Sequence, residues 1–150
     1  HLGIGLLILG ITGSSIWQKE KILRMKLNDR TIVNDYKIVL KEMNKIKISN
    51  YVALQGKFLV YDNKGEILYN LIPENRFYPI TNNATSEPAI HTNLLRDLYI
   101  VLGEGDAIKG WTIRIYYNPL VAWIWVGAFM IFVGGLFSLK NNLKITRRFL

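Results

Sequence analysis

The chain has no cysteine and only two histidines, His1 and His91, in 150 residues. Without cysteine it forms no disulfide and performs no thiol redox chemistry of its own. It also lacks the sequence patterns of serine hydrolases, zinc proteases and phosphate-binding loops, and it has no cluster with metal-ligand spacing. We therefore assign no catalytic residue from the sequence.

Charged residues are missing from two long stretches of the chain. Residues 2–17 and 118–139 carry none, whereas the segment between them holds all 11 acidic residues. About 20 apolar residues cross a bilayer. The second stretch is long enough, and the first would be if the chain continued upstream of His1, as we expect because no methionine opens it. A signal peptide is the alternative for the first stretch, but no basic residue precedes it. The expected domains are a transmembrane helix at 1–17, a β-rich domain at 18–117, a transmembrane helix at 118–139 and a basic tail at 140–150.

The net charge of +8 is not interpreted as a nucleic-acid-binding signal. The tail KNNLKITRRFL has four basic residues and no acidic one. A basic cluster directly after a membrane helix marks the cytoplasmic side. The middle domain mixes both signs and has no nucleic-acid motif. We therefore expect the tail in the cytoplasm, the middle domain on the outer face, and no nucleic-acid partner.

The middle segment alternates apolar and polar residues, which is typical of strands. YVALQGKFLVYD, NKGE and ILYNLI predict one hairpin, and DLYIVLGE followed by WTIRIYY predicts another. Between them, residues 75–96 predict a long polar loop with a short helix near 87–95 and a solvated His91. The predicted fold class is an α+β membrane protein, with two transmembrane helices flanking a small, mostly antiparallel β-domain, which could be an OB-like barrel.

His1 stands at the edge of the first apolar stretch. An ionisable side chain in a membrane helix is costly and usually faces a bundle interior, and neutral imidazole is a common axial ligand of haem iron. Small residues along the same helix would allow another helix or a flat macrocycle to approach. They are Gly3, Gly5, Gly10, Thr12 and Gly13. The residues alone leave a ligand role and a plain interfacial position both open.

Several segments from Pro73 onward, taken in order, carry a resemblance to a known family. PENRFY, SEPAI, RDLYIVLGE and WTIRIYYNPLVAWIWVGAFMIFVGG resemble the C-terminal part of the CcmF-type subunit of cytochrome c haem lyase. The opening HLG also matches the start of a membrane helix in that family. Asn75 and Asn118 stand where the family commonly has lysine, and Ser86–Ala89 replaces its Thr-Glu-Ala-Ala.

The resemblance implies a role in attaching haem to the thiols of apocytochrome c outside a bacterial cytoplasmic membrane or an organellar inner membrane. It implies other maturation subunits, a haem chaperone and apocytochrome c as partners. It further implies that His1 is an axial ligand of a haem b iron whose second ligand lies outside this fragment. The family's Trp-rich loop and its other histidines are absent here, so the resemblance implies that the fragment alone is inactive.

Two groups of side chains have two interpretations each. Arg76, Arg96 and Arg114 could pair with acidic residues of the β-domain, or with haem propionates, whose geometry suits arginine. Aromatic residues expected at the outer membrane face could anchor the second helix at the interface, or contact haem or a partner. These are Trp111, Trp123 and Trp125, together with Tyr116 and Tyr117. The alternative function is a non-catalytic two-helix membrane module whose outer β-domain docks a haem chaperone or an assembly partner.

Overall fold

The computed structural model describes residues 1–146, with side chains through Ser138. The chain forms two compact units. A helical unit contains residues 1–18, 93–96 and the chain from Asn118 onward; a β unit contains residues 19–92 and 97–117. Arg147 and Arg148 of the expected basic tail lie outside the described residues.

The helical unit consists of α1 (Leu2–Ile16) and α2 (Val121–Thr146). The second helix begins three residues later than expected, because the preceding strand continues to Pro119 and Leu120 has a left-handed backbone with φ of 60°. It also continues through the first residues of the expected tail. Within residues 1–146, Val121–Ser138 is the one stretch long and apolar enough to cross a membrane, and α1 is a shorter apolar helix. The two-helix membrane arrangement thus remains a prediction.

Glycines bring the two helices into antiparallel contact. A Cβ added at Gly10 would lie 2.7 Å from the Ile124 nitrogen, and one added at Gly127 would lie 2.5 Å from the Leu7 nitrogen. Real Cβ atoms do not approach other atoms this closely, so only glycine permits this backbone separation. The sequence predicts close helix packing at Gly127, Gly134 and Gly135. This is confirmed at Gly127, whereas a Cβ added at Gly134 or Gly135 would meet nothing within 4 Å.

The β unit is a sandwich of two antiparallel sheets. The first sheet has the order β1-β10-β9-β8, and the second has the order β2-β3-β4-β6-β7 with β5 also paired to β4. The ten strands are β1 (Lys19–Met25), β2 (Arg30–Val33), β3 (Tyr36–Lys47), β4 (Val52–Tyr61), β5 (Ile67–Leu71), β6 (Glu74–Tyr78), β7 (Asn83–Glu87), β8 (Ala89–Thr92), β9 (Arg96–Asp106) and β10 (Gly110–Pro119). The OB-like barrel is therefore wrong: the strands form two separate sheets rather than one closed sheet.

The sandwich core is built from alternate residues of its strands. Phe58 and Val60 on β4 and Ile113 and Ile115 on β10 have no exposed surface. Burying an apolar side chain of this size stabilises the fold by about 1.5–3 kcal/mol. Trp111, which shares the inward face of β10, is only 7% exposed. The alternation predicted for WTIRIYY is thus confirmed, but Trp111 is part of the sandwich core and not of an aromatic belt at a membrane surface.

Both predicted hairpins form, and an aspartate organises each turn. Asp62 Oδ1 accepts hydrogen bonds from the backbone N–H groups of Lys64 at 2.8 Å and Glu66 at 2.9 Å. Asp106 Oδ1 accepts two bonds in the same way from residues 108 and 109. Gly65 and Gly110 supply the left-handed backbone that each turn requires. These short-range signals explain why the hairpins could be predicted.

The long loop and the short helix near 87–95 are wrong. The segment forms β6, β7 and β8, which are short strands held by pairing with β4 and β9. Pro88 stands between β7 and β8, where the chain passes from one sheet to the other. A proline donates no ladder hydrogen bond, so it fits at such a break. The ambiguous stretch EMNKIKIS lies largely within β3.

Candidate functional site

The His1 imidazole is exposed and forms no capping hydrogen bond at the start of α1. The His1 carbonyl accepts a hydrogen bond from the Gly5 nitrogen at 3.1 Å, which fixes the first turn of the helix. A ring nitrogen of His1 is therefore available to coordinate a metal ion from outside the chain. The second described histidine, His91, lies in the β unit.

The small residues of α1 separate into two faces. Gly3, Gly10 and Gly13 are buried; the atoms nearest to an added Cβ belong to α2 at Gly3 and Gly10, and to Leu120, directly before α2, at Gly13. Because an α-helix has about 3.6 residues per turn, His1 and Gly5 lie on the opposite side. Gly5 is exposed, and an added Cβ there would meet nothing within 4 Å. One glycine face thus packs on α2, while the histidine face remains open.

The two tryptophans of α2 have different surroundings. Trp123 is half-buried, and its indole nitrogen is enclosed without a hydrogen-bond partner among the described residues. Trp125 is 74% exposed. Both could serve the interfacial or the haem-contacting role predicted from the sequence, and neither role is tested by these contacts.

Arg76 forms the ion pairs that the sequence predicted. Its Nε donates to Glu74 Oε2 at 2.8 Å, its Nη1 lies 3.5 Å from Glu87 Oε1, and its guanidinium carbon lies 5.1 Å from the Tyr51 ring centroid. The hydrogen bond from Arg76 lowers the pKa of Glu74, and the same bond raises the pKa of Arg76. These partners give Arg76 a structural role on the surface of its sheet.

The other two predicted arginines lie on the opposite sheet. Arg96 is half-buried at the start of β9. Arg114 is exposed on β10, where it faces Ile22 of β1 across the ladder. The three arginines are therefore on three different strands, Arg76 in one sheet and Arg96 and Arg114 in the other.

His91 has surroundings that the sequence did not predict. It lies half-buried on β8, and its ring stacks on Tyr69 with centroids 3.8 Å apart and planes inclined by 14°. Asp97 faces Thr92 across the β8–β9 ladder, and burial raises the pKa of its carboxyl. Among the described residues, no group of three His, Asp or Glu side chains could hold a metal ion. The sequence AIHT does not alternate apolar and polar residues, so it carried no local signal for this strand; the alternation of residues 89–92 is in their exposure.

A groove of about 530 Å³ opens at one end of the sandwich and is called the end groove below. Its lining includes Leu54, Phe77 and Trp111, with Lys45, Glu104 and Asp106 as charged members. Strand β6 divides the motif PENRFY between two faces: Asn75 and Phe77 line the groove, and Glu74 and Arg76 alternate with them on the other face. No pattern in the sequence indicated this groove.

The architecture alone defines a class of protein. It is a two-sheet β-sandwich domain with one apolar helix before it and another after it. A sequence model of one family, described as the CcmF C-terminal beta-sandwich, matches residues 16–119. The chain belongs to this family.

Relatives and one solved structure agree with this assignment. The cytochrome c-type biogenesis protein CcmF of Escherichia coli K12 is 34% identical over 142 residues, which are 93% of this chain and 21% of that protein. The protein of the same name from Haemophilus influenzae is 32% identical over 143 residues, covering 95% and 22%. A structure named cytochrome c heme lyase CcmF matches with a TM-score of 0.68 and 21% identity, covering 91% of this chain and 23% of that one. The latter similarity supports the fold alone.

The chain spans about a fifth of the length of these relatives. The family model covers residues 16–119, and the matches to the relatives, at 93% and 95% of this chain, extend beyond that range.

Proposed function

We propose that this chain is the C-terminal portion of a haem lyase subunit in cytochrome c maturation. Its family membership and the names of its relatives support this proposal. In it, α1 and α2 lie in a bacterial cytoplasmic membrane or an organellar inner membrane, and the sandwich faces the outer side. Other maturation subunits, a haem chaperone and apocytochrome c are the partners, and the larger protein attaches haem to the apocytochrome thiols.

The open histidine face of α1 carries the proposal for the cofactor. His1 offers one imidazole ligand, and Gly5, one turn further along, leaves space beside it. A ligating imidazole with open space beside it suits a flat macrocycle. The residues present therefore fit a haem b that would be held by His1 together with a ligand outside this chain. When bound, haem b supplies one-electron redox chemistry.

The residues of this chain would hold and orient the cofactor. His1 would hold the iron through a ring nitrogen of its imidazole. The glycine contacts between α1 and α2 fix the helix that carries His1. Trp125, exposed on α2, is available for a further contact with haem or with a partner.

The test is a reduced-minus-oxidised visible spectrum of the native-length protein, purified from membranes through a tag after Leu150. We expect a b-type signal in the wild type, its loss in His1→Ala, and its retention in His91→Ala. The second variant is the matched control because it also removes an imidazole. A signal that persists in His1→Ala, or a wild-type protein without haem, would contradict the ligand assignment.

A non-catalytic docking module is the second candidate function. The end groove favours it, since a groove of this kind is suited to another polypeptide. A native-length protein that lacks haem but still copurifies with maturation subunits would support this function over the first.

A further inference from the structure

Two strand edges border the end groove without a partner strand. In β9, residues 97–100 pair with β8, but residues 101–106 have no strand on that side in the described part of the chain. Strand β7 is the last of its own sheet and pairs with β6. The Ser86 hydroxyl donates a single long bond of 3.5 Å to the Leu102 carbonyl between them. Unpaired edges present backbone N–H and C=O groups that can bind another strand.

The floor of the groove is apolar and accessible. Phe77 is 43% exposed although it belongs to the inner face of its sheet. Across from it, Gly103 and Gly105 of β9 contribute backbone atoms to the lining of the groove. An exposed phenylalanine beside an unpaired backbone edge provides side-chain contacts and hydrogen bonds to one extended chain.

Opposite charges stand on the two walls. Lys45 lies on the wall formed by the second sheet, and Glu104 lies on β9, on the same side of the strand as the buried Leu102 and Ile100. Neither charged group forms an ion pair within residues 1–138. The Asp106 carboxylate is held in the β9–β10 turn, where its Oδ1 accepts hydrogen bonds from the N–H groups of residues 108 and 109. Lys45 and Glu104 are therefore left to interact with an occupant of the groove.

We propose that an extended segment of a partner protein inserts between β9 and β7 and pairs with the open edge of β9. Alternate apolar side chains of the segment pack on Phe77 and Trp111, a basic residue meets Glu104, and an acidic residue meets Lys45. The free part of β9 is long enough for about six residues, or roughly 20 Å at about 3.3 Å per residue. No histidine, methionine or cysteine lines the groove, so a haem there would have no customary axial ligand.

The experiment uses the native-length protein in detergent and a displayed library of random octapeptides. Panning against the wild type should enrich peptides with alternating apolar residues and a lysine or arginine at one fixed position. Panning against Glu104→Lys should place aspartate or glutamate at that position instead. Glu66→Lys, which reverses an exposed charge at the β4–β5 turn, is the matched control and should select the wild-type pattern.

An enriched peptide is then tested with Phe77→Ala, an exposed position whose substitution leaves the core intact. We expect an affinity loss of about tenfold, because a large aromatic contact is a common binding hot spot. Hydrogen exchange should slow at residues 101–106 and in β7 when the peptide binds. The b-type spectrum should not change in either groove variant, so this test is independent of the haem assignment.

Several outcomes would overturn the proposal. Failure to enrich any peptide would do so, as would peptides indifferent to both Glu104→Lys and Phe77→Ala. Protection that rises with protein concentration without peptide would assign the groove to a second copy of the chain. Protection of the same amides by haemin alone, lost in Phe77→Ala, would assign it to haem.

Discussion

The helical unit and the sandwich achieve close packing by opposite means. Between α1 and α2, contact depends on positions where the side chain is absent, such as Gly10 and Gly127. In the sandwich it depends on large side chains that are fully buried, such as Phe58 and Ile100. A membrane environment offers little hydrophobic gain for helix association, so close backbone approach becomes the main source of attraction. The two units should therefore respond oppositely to a change in side-chain size.

The largest decrease in the free energy of unfolding is expected from Phe58→Ala. The phenylalanine has no exposed surface, so its removal leaves a cavity and should cost about 3–5 kcal/mol. Chemical unfolding of the native-length protein in detergent, followed by circular dichroism of the strands, measures this loss. Phe77→Ala removes the same atoms from a side chain that is 43% exposed. An equal loss of unfolding free energy in that variant would contradict the idea that the sandwich depends on its fully buried side chains.

A smaller effect is expected from adding a side chain to α1. Gly10→Leu should separate the helices and cost about 1–3 kcal/mol, as overpacking typically does, because its Cβ would clash with Ile124. A Cβ added at Gly5 would meet no atom within 4 Å, so Gly5→Leu should leave helix packing intact. Thermal unfolding in detergent distinguishes the two.

The same pair of variants also sharpens the haem proposal. Gly5→Leu should reduce the b-type signal while the unfolding midpoint stays near that of the wild type. If Gly5→Leu retains full haem, the space beside His1 is not used by the cofactor. If it unfolds as readily as Gly10→Leu, the assignment of two separate glycine faces is wrong.

The smallest effect concerns the surface ion pairs of the sandwich. The bond from Arg76 lowers the pKa of Glu74, so the ionised carboxylate stabilises the folded state. This stability is present above the ordinary carboxyl pKa of 4.5 and is lost as the pH falls through the lowered value. Glu74→Gln should lower the unfolding midpoint by a few degrees at pH 7 and much less at about pH 3. Glu42 forms a more exposed pair with Lys57, so Glu42→Gln should change the unfolding midpoint less at both pH values.

The sequence predicted those elements whose signals are local. The two hairpins follow from Asp62 and Asp106 with their nearby glycines, and the inward face of β10 follows from alternation. Residues 75–96 were misassigned because β6, β7 and β8 are short, polar and held by partners distant in the sequence. Propensity is overridden where such pairing supplies the hydrogen bonds.

The candidate site was predicted only in part. His1 could be singled out because an ionisable residue beside an apolar stretch is unusual. Which glycines of α1 surround it could not be derived, since that depends on where α2 packs. The end groove had no sequence signal, because it is formed by strand edges that are left unpaired and by the gap between them.

Pro88 has a mechanical consequence for that groove. It is the single residue between β7 and β8, so the connection between the edges of the two sheets is too short for them to move far apart there. Its ring fixes its own φ, and it restricts the backbone of Glu87 as well. The two edges can separate only by rotation about the few torsions that remain free. The width of the groove therefore depends on the angle between β7 and β8, which the backbone torsions of Glu87 and Pro88 set.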